Sequence, residues 1–505
     1  MEIIGENTRT WEGDVSSDWD DAKNWEEGSI PNAESKVVIP VVEEDNNYPV
    51  TNETDVISVK SLNVDSGAEI TLNNTLTATD GITNDGTIKL PNDYTLSCAI
   101  TNNGNINAEK SVVIPDGGQL TNNKNIVVKG NLSIETSATL ENINNSNNRI
   151  LVYGDLTIAG SYSGEGTISF ANHTKEHTIT NSANGTEITS LGIVGTQINF
   201  VCDSPLTIGT LTKEEGTIYL QSGNLSVGTY SQDSNIQDDQ NNLKLNEGAT
   251  ISFTNRVAFN SVEITNKDDS SVANINADDF TTKTLNVYGD FTNANSNAIN
   301  ATTMTVDMNQ PNADSDVVIG GNFSVVTFNC KEQGGKNLTL NGMISGFEEM
   351  FISGTKNAET DETNYLTLQG TGSFAYNDSD KTQFVGSYLK FTSDTPTVSQ
   401  GQAEITSSEH NGTAFPTGWI LPSEYTWTGE GTNLVLTRIE RHKWTNKNNW
   451  NPKSVPDTES DVIIPNVGEY SPRFASGAPE KVQMNSLTIQ QGGRIDNDKD
   501  DDSKV

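Results

Sequence analysis

The chain is written in short runs of alternating apolar and polar residues, and the runs recur at nearly constant spacing. Apolar residues sit at i and i+2 over four to six positions and then stop at Gly, Asn or Asp, which is a strand pattern; helical spacing is almost absent. Thr83 to Leu90, Asn125 to Val128, Leu151 to Ile158, Thr217 to Leu220, Asn224 to Val227 and Thr284 to Tyr288 all read as strands between turns. One signature, an apolar residue, a spacer, Gly, Asn or Asp, Leu or Phe, then Ser or Thr, occurs five times, with the first apolar residue lost in the third copy. Its glycines, Gly130, Gly154, Gly223, Gly289 and Gly321, are 24, 69, 66 and 32 residues apart. The first three spacings approximate one, three and three units of about 22 residues, and the last requires an insertion or a changed rung. An acid-Gly-Thr-Ile motif recurs at Asp85 to Ile88, Glu165 to Ile168 and Glu215 to Ile218, and Asn84-Asp85-Gly86 reappears as Asn102-Asn103-Gly104.

Units this short cannot bury an apolar face alone and must stack on their neighbours. The expected fold is therefore all-β: a parallel β-solenoid (β-helix), expected to be right-handed, with aliphatic columns inside and stacked Asn and Thr hydrogen-bonding along the axis at the turns. About 365 residues at about 22 per rung make roughly 16 rungs, or a rod of about 80 Å at ~4.8 Å per rung.

Composition narrows the function classes. The chain carries 30 basic and 68 acidic residues among 505, a net charge of −38. So strong a negative charge repels phosphate backbones and anionic headgroups, which argues against nucleic acid and membrane surfaces as partners. No stretch approaches 18 consecutive apolar residues, so no membrane insertion is expected. Met1 to Thr10 lacks the basic and apolar regions of an export signal; an exported chain would then have lost its signal or be a fragment. Only 33% of residues are apolar, yet charged residues are just 19% and the polar excess is interleaved with Ile, Leu and Val, which is not a disordered pattern. Three cysteines, Cys98, Cys202 and Cys330, are odd in number and widely spaced, and each is expected to serve as a small buried apolar residue.

All seven tryptophans lie near the two ends. Shifting the sequence by 425 aligns residues 19–70 with 444–495 without a gap and with sixteen identities in 52 positions. Trp19 falls on Trp444, Asn24-Trp25 on Asn449-Trp450, Pro31 on Pro456, Ile39-Pro40 on Ile464-Pro465 and Gly67 on Gly492. Trp11-x-Gly13 returns as Trp427-x-Gly429. A solenoid ends in an unpaired rung that invites edge-to-edge association, so this duplicated module is expected to be a structural cap. Its residues are Trp11, Trp19, Asn24, Trp25, Pro31 and Pro40 in the first copy, and Trp427, Trp444, Asn449, Trp450, Pro456 and Pro465 in the second. The alternative is that Trp19 and Trp25 form an exposed platform for sugar rings. The resulting division is a cap over 1–55, a solenoid over 56–420, a second cap beginning another solenoid over 421–495, and an acidic tail over 496–505.

The Thr10-Trp11-Glu12-Gly13, Trp19, Asn24-Trp25, Pro31 and Val37 to Pro40 pattern resembles the opening module of exported bacterial β-helix proteins of the autotransporter and filamentous-haemagglutinin-like kind. That resemblance covers about 60 residues at each end and implies cell-surface or secreted display, with adhesion to a host or matrix protein or glycan.

Other candidate sites are weak. His173 and His177 with Glu176 match the H-x-x-E-H order of some zinc proteases, but their flanks are strand-like, and a strand holds the two rings too far apart for one ion. His410 and His442 have no partner in sequence. Asp496, Asp498 and Asp500 alternate as in calcium loops but lack the glycine and the closing acid, so they are expected to belong to a disordered acidic tail, and the weak calcium binding that 68 acidic residues allow elsewhere on the rod has no assigned site. Pairs such as Asp378 with Asp380 arise everywhere in an acid-rich chain. No catalytic, cofactor or metal residue is therefore assigned. The expectation is a non-enzymatic cell-surface or secreted solenoid, adhesin-like or a structural spacer, with a carbohydrate-active β-helix enzyme (polysaccharide lyase or hydrolase) as the alternative.

Overall fold

The computed structural model describes residues 7–54, 56–143, 149–213, 216–232, 241–265, 272–309, 316–331, 333–357, 363–406, 408–410, 415–421, 424–428, 444, 449–451, 455–456, 460–467, 471–474 and 482–497. Among them the protein is a parallel β-solenoid, with a single 3-10 turn, Ala22–Asn24, and no α-helix. By its contacts the chain divides into two units, Met1–Glu263 with Asp269–Thr281, and Ile264–Asp268 with Thr282–Val505.

In the first unit the period-2 pattern becomes three inward ladders. One follows Val37, Leu62, Ile82, Ile100, Leu120, Leu140 and Tyr162, each beside the next on parallel strands. A second runs through Ile70, Ile88, Ile106, Ile126, Ile150, Ile168, Leu191 and Leu211. The third runs through Val112, Leu132, Leu156, Ile179, Phe200 and Leu220. None of these side chains is more than 6% exposed, and burying each is worth about 1.5–3 kcal/mol. The rungs stack because each leaves one strand edge and one end of its core open to the next. The turns between ladders must also stack closely. At Gly104 a Cβ would stand 2.0 Å from the Gly86 carbonyl oxygen, so the paired Asn-Asp-Gly and Asn-Asn-Gly turns tolerate no side chain there.

A polar column lies inside this apolar core. Asn84, Asn102, Asn122 and Asn142 close successive strands and are fully buried. Each amide nitrogen donates to the next carboxamide oxygen, at 2.7, 2.8 and 2.9 Å, and Asn142 reaches the Tyr162 hydroxyl at 3.4 Å. The second protons of Asn84 and Asn102 go to the Asn105 and Asn125 carbonyls. The donors all point the same way, so Asn84 Oδ1 faces the rung holding Val64 and has no hydrogen-bond partner.

In the second unit the ladders are Val317, Leu338, Leu368 and Phe391, and Phe323, Ile344, Phe374 and Val398, none more than 2% exposed. The steps from Leu338 to Leu368 and from Ile344 to Phe374 are equal in length and longer than the others, and an antiparallel pair, Thr355–Lys356 with Thr363–Asn364, lies within both. The repeat signature does not set the register here. Phe291 pairs with Ile319, and Phe323 pairs with Ile299, so the copies at Gly289 and Gly321 are not stacked in the order their resemblance suggests. Trp419 lies on the short strand Trp419–Ile420, 3% exposed, edge-on to Phe374 and Phe391, with its indole donating to the Pro396 carbonyl at 2.8 Å.

Cys202 and Cys330 are buried and Cys98 is half-buried, all as free thiols. Burial pushes the Cys202 thiol up to about 12 and the other two upward.

Candidate functional site

The tryptophan module is built into the sheet it begins. Thr8–Thr10 pairs in parallel with Lys36–Ile39, which pairs with Ser61–Val64, so the module supplies the first two strands of the first ladder's sheet. The opposite edge of Thr8–Thr10 is occupied by the module itself. Glu26 N donates to the Thr10 carbonyl at 3.0 Å, and the Thr10 amide donates to the Glu27 carboxylate at 3.0 Å. Trp11 and Trp25 form an antiparallel bridge across this edge.

Trp11, Trp19 and Trp25 are each 1% exposed. Trp25 meets Trp11 and Trp19 edge to face, with centroids 5.0 and 4.8 Å away, and its indole donates to the Trp19 carbonyl at 3.0 Å. A ring that stacks on a sugar must offer a face to solvent, and at 1% exposure Trp19 and Trp25 offer none, unlike the exposed platform weighed as the alternative to a cap. Asn24 organises the loop. Its Oδ1 accepts from the Val15 and Ser16 amides, both at 3.0 Å, while Nδ2 donates to Ser16 Oγ and to the Asp18 carbonyl. Pro31 is half-buried, and Pro40, also half-buried, follows the strand Lys36–Ile39 directly and cannot extend its ladder.

The second copy repeats this at atomic detail. Trp427 pairs antiparallel with Trp450, Trp450 packs edge to face on Trp427 and Trp444, and its indole donates to the Trp444 carbonyl at 2.8 Å. Asn449 is fully buried, Pro456 is buried and Pro465 half-buried. Asp461–Ile464 pairs with Ser486–Ile489 in the register that Lys36–Ile39 keeps with Ser61–Val64. The two copies differ at their last strand. Leu62 and Val64 are 1% and 0% exposed, whereas Leu487 and Ile489 are 43% and 49% exposed, because among the described residues no further strand covers Ser486–Ile489.

The other residues singled out in the sequence do not converge. His173 is exposed, while His177 points inward on Glu176–Asn181, its Nδ1 2.8 Å from the Gly154 carbonyl and Nε2 3.2 Å from that of Asn172. The backbone of Glu409–His410 pairs beside Lys390–Phe391. His442, Asp498 and Asp500 lie outside the described residues, and Asp496 pairs with Arg494 at 3.4 Å. Among the described residues no cluster of three or more His, Cys, Asp or Glu is placed to hold a metal ion. Asp378 and Asp380 are exposed in one turn, where Asp378 Oδ1 accepts the Asp380 amide at 2.9 Å.

That turn borders a shallow lateral groove of about 840 Å³, lined by polar groups including Ser379, Asp380, Thr382, Gln400 and Gln402. Among the described residues Asp380 is its only lining carboxylate, and no basic or aromatic side chain lines it. The groove was not legible in the sequence, since its residues come from turns about twenty positions apart.

Residues 10–116 match the family model of a domain of unknown function, DUF8693. The match begins at the first tryptophan module and runs through the first rungs of the solenoid, well short of half the chain. No curated protein and no solved structure matches the chain.

Proposed function

We propose that the protein is a non-enzymatic cell-surface or secreted β-solenoid, adhesin-like or a structural spacer, whose tryptophan modules act as lids on strand edges. The observation that carries the reading is the module's occupation of both outward-facing backbone groups of Thr10, repeated as the Trp427–Trp450 pairing in the second copy. An exposed parallel edge is a template for association, and a long-lived extracellular solenoid needs it closed. Surface ion pairs such as Lys129–Glu109 and Lys244–Glu263 suit display without self-association.

The groove supports the same reading against a glycoside-cleaving enzyme, because that chemistry uses two opposed carboxylates and the described residues line the groove with one. The test is retention of the purified chain on matrix proteins, glycans and intact cells, alongside a screen of pectins, alginates and glycosaminoglycans for new reducing ends or unsaturated products. Binding to a matrix protein or glycan is expected. Retention on none of them leaves the spacer role, and turnover of any polysaccharide refutes the non-enzymatic reading.

A further inference from the structure

Lys213 ends the strand Gln197–Lys213 at an inward position, beside Ile193 on the preceding rung, and is fully buried. Its ammonium nitrogen lies 3.1 Å from Oδ1 of Asn241, itself 4% exposed. The same oxygen accepts the Tyr230 hydroxyl at 2.7 Å, and Asn241 Nδ2 donates to the Ala258 carbonyl at 2.6 Å. The backbone of Asn241 is held as well, its carbonyl accepting the Asn260 amide at 2.7 Å. The Tyr230 ring is stacked on Phe259 and packs edge-on to Phe253, so the carboxamide, the amine and the phenol meet beside an aromatic wall.

We propose that Lys213 and Asn241 are joined by an intramolecular amide bond, formed by attack of the lysine nitrogen on the asparagine side chain with loss of ammonia. The lysine lone pair adds to Asn241 Cγ and a C–N bond forms. Negative charge develops on Oδ1, where the Tyr230 hydroxyl already donates, the arrangement of an oxyanion site. The Cγ–Nδ2 bond then breaks, and the nitrogen leaves as ammonia with the proton given up by the attacking amine. One C–N bond and one N–H bond are broken and one of each is made, so no oxidant or co-reactant is required. The amine must be uncharged to attack, and burial lowers Lys213 to about 7. Burial raises Tyr230, which keeps its phenol protonated as a donor. Holding amine and amide in contact replaces an encounter in solution that simple amides essentially never complete. The bond would tie the end of one rung to the start of the strand Asn242–Asn246 on the next.

Intact-mass measurement on the full chain, held folded at mildly alkaline pH, tests this. A species lighter by one ammonia is expected, and tryptic digestion is expected to yield a branched peptide containing both Lys213 and Asn241, uncut after Lys213. Lys213→Met and Asn241→Ala are expected to keep the full mass and give no branched peptide, and Tyr230→Phe to form it more slowly. Native protein that retains its full mass and is cleaved after Lys213 overturns the proposal. So does an ammonia loss that maps elsewhere, for instance to cyclisation at Asn103-Gly104, with Lys213 still cleavable.

Discussion

The asparagine column permits a matched pair of substitutions in which the same chemical change has different consequences. Val64 and Val152 are both fully buried inward residues of the first unit. Val64 stands beside Asn84, whose Oδ1 lacks a donor. Val152 stands between Val128 and Phe170, with only apolar side chains beside it in the ladder. Replacing either with Asn forfeits about 1.5–2 kcal/mol of apolar transfer. At position 64 the new amide can donate to Asn84 Oδ1, which recovers about 1 kcal/mol and moves the unpaired oxygen one rung further rather than adding another. At position 152 the carboxamide is buried with no donor or acceptor, a further cost of about 2–3 kcal/mol. Val64→Asn should therefore destabilise by about 1 kcal/mol and Val152→Asn by about 4 kcal/mol. Urea unfolding of the two variants, with hydrogen exchange at the flanking strands to confirm that each loss is local, measures the gap. Equal costs would mean that the column is not a directional chain of hydrogen bonds ending at Asn84.

The duplicated strands supply a second matched pair: Leu62→Ser should cost about 3 kcal/mol or more in thermal or urea unfolding, while Leu487→Ser, at the same place in the other module, should change stability by less than about 0.5 kcal/mol. Trp25→Ala should remove about 3–5 kcal/mol and expose the Thr8–Thr10 edge, so light scattering should register association that the native chain does not show. Alkaline titration should be destabilising. Cys202 and Tyr162 are raised by burial to about 12, so their folded-state values lie above the unfolded ones of about 8.5 and about 10. Their contribution is intact below about pH 8.5 and is lost as pH climbs towards 12, read as a falling melting temperature; a flat profile across that window contradicts the burial of both groups. Cys202 and Cys330 should resist a thiol reagent in the folded protein on a timescale set by unfolding, and prompt labelling of either would contradict its packing.

Much of this architecture was legible in the chain before folding. Alternation of apolar and polar residues identifies strands and their inward faces because side chains on a strand point to opposite sides with a period of two. The recurrence of Asn84-Asp85-Gly86 as Asn102-Asn103-Gly104 anticipated stacked asparagines, and Asn84 and Asn102 do lie in register. The offset of 425 between tryptophan modules survives down to the indole of Trp25 and of Trp450 donating to the carbonyl six residues earlier. What local pattern could not decide was register and cover. Loop lengths between strands vary, and pairing follows the stacking of whole rungs, so Phe291 sits beside Ile319 rather than beside its signature counterpart Phe323. Whether Trp19 is a platform or a core residue, and whether Leu487 is covered as Leu62 is, depend on neighbours distant in sequence. Lys213 reads as one more polar residue before a turn; only closure of the rungs carries it into the interior against Asn241, because burial belongs to the assembled stack and not to any segment of it.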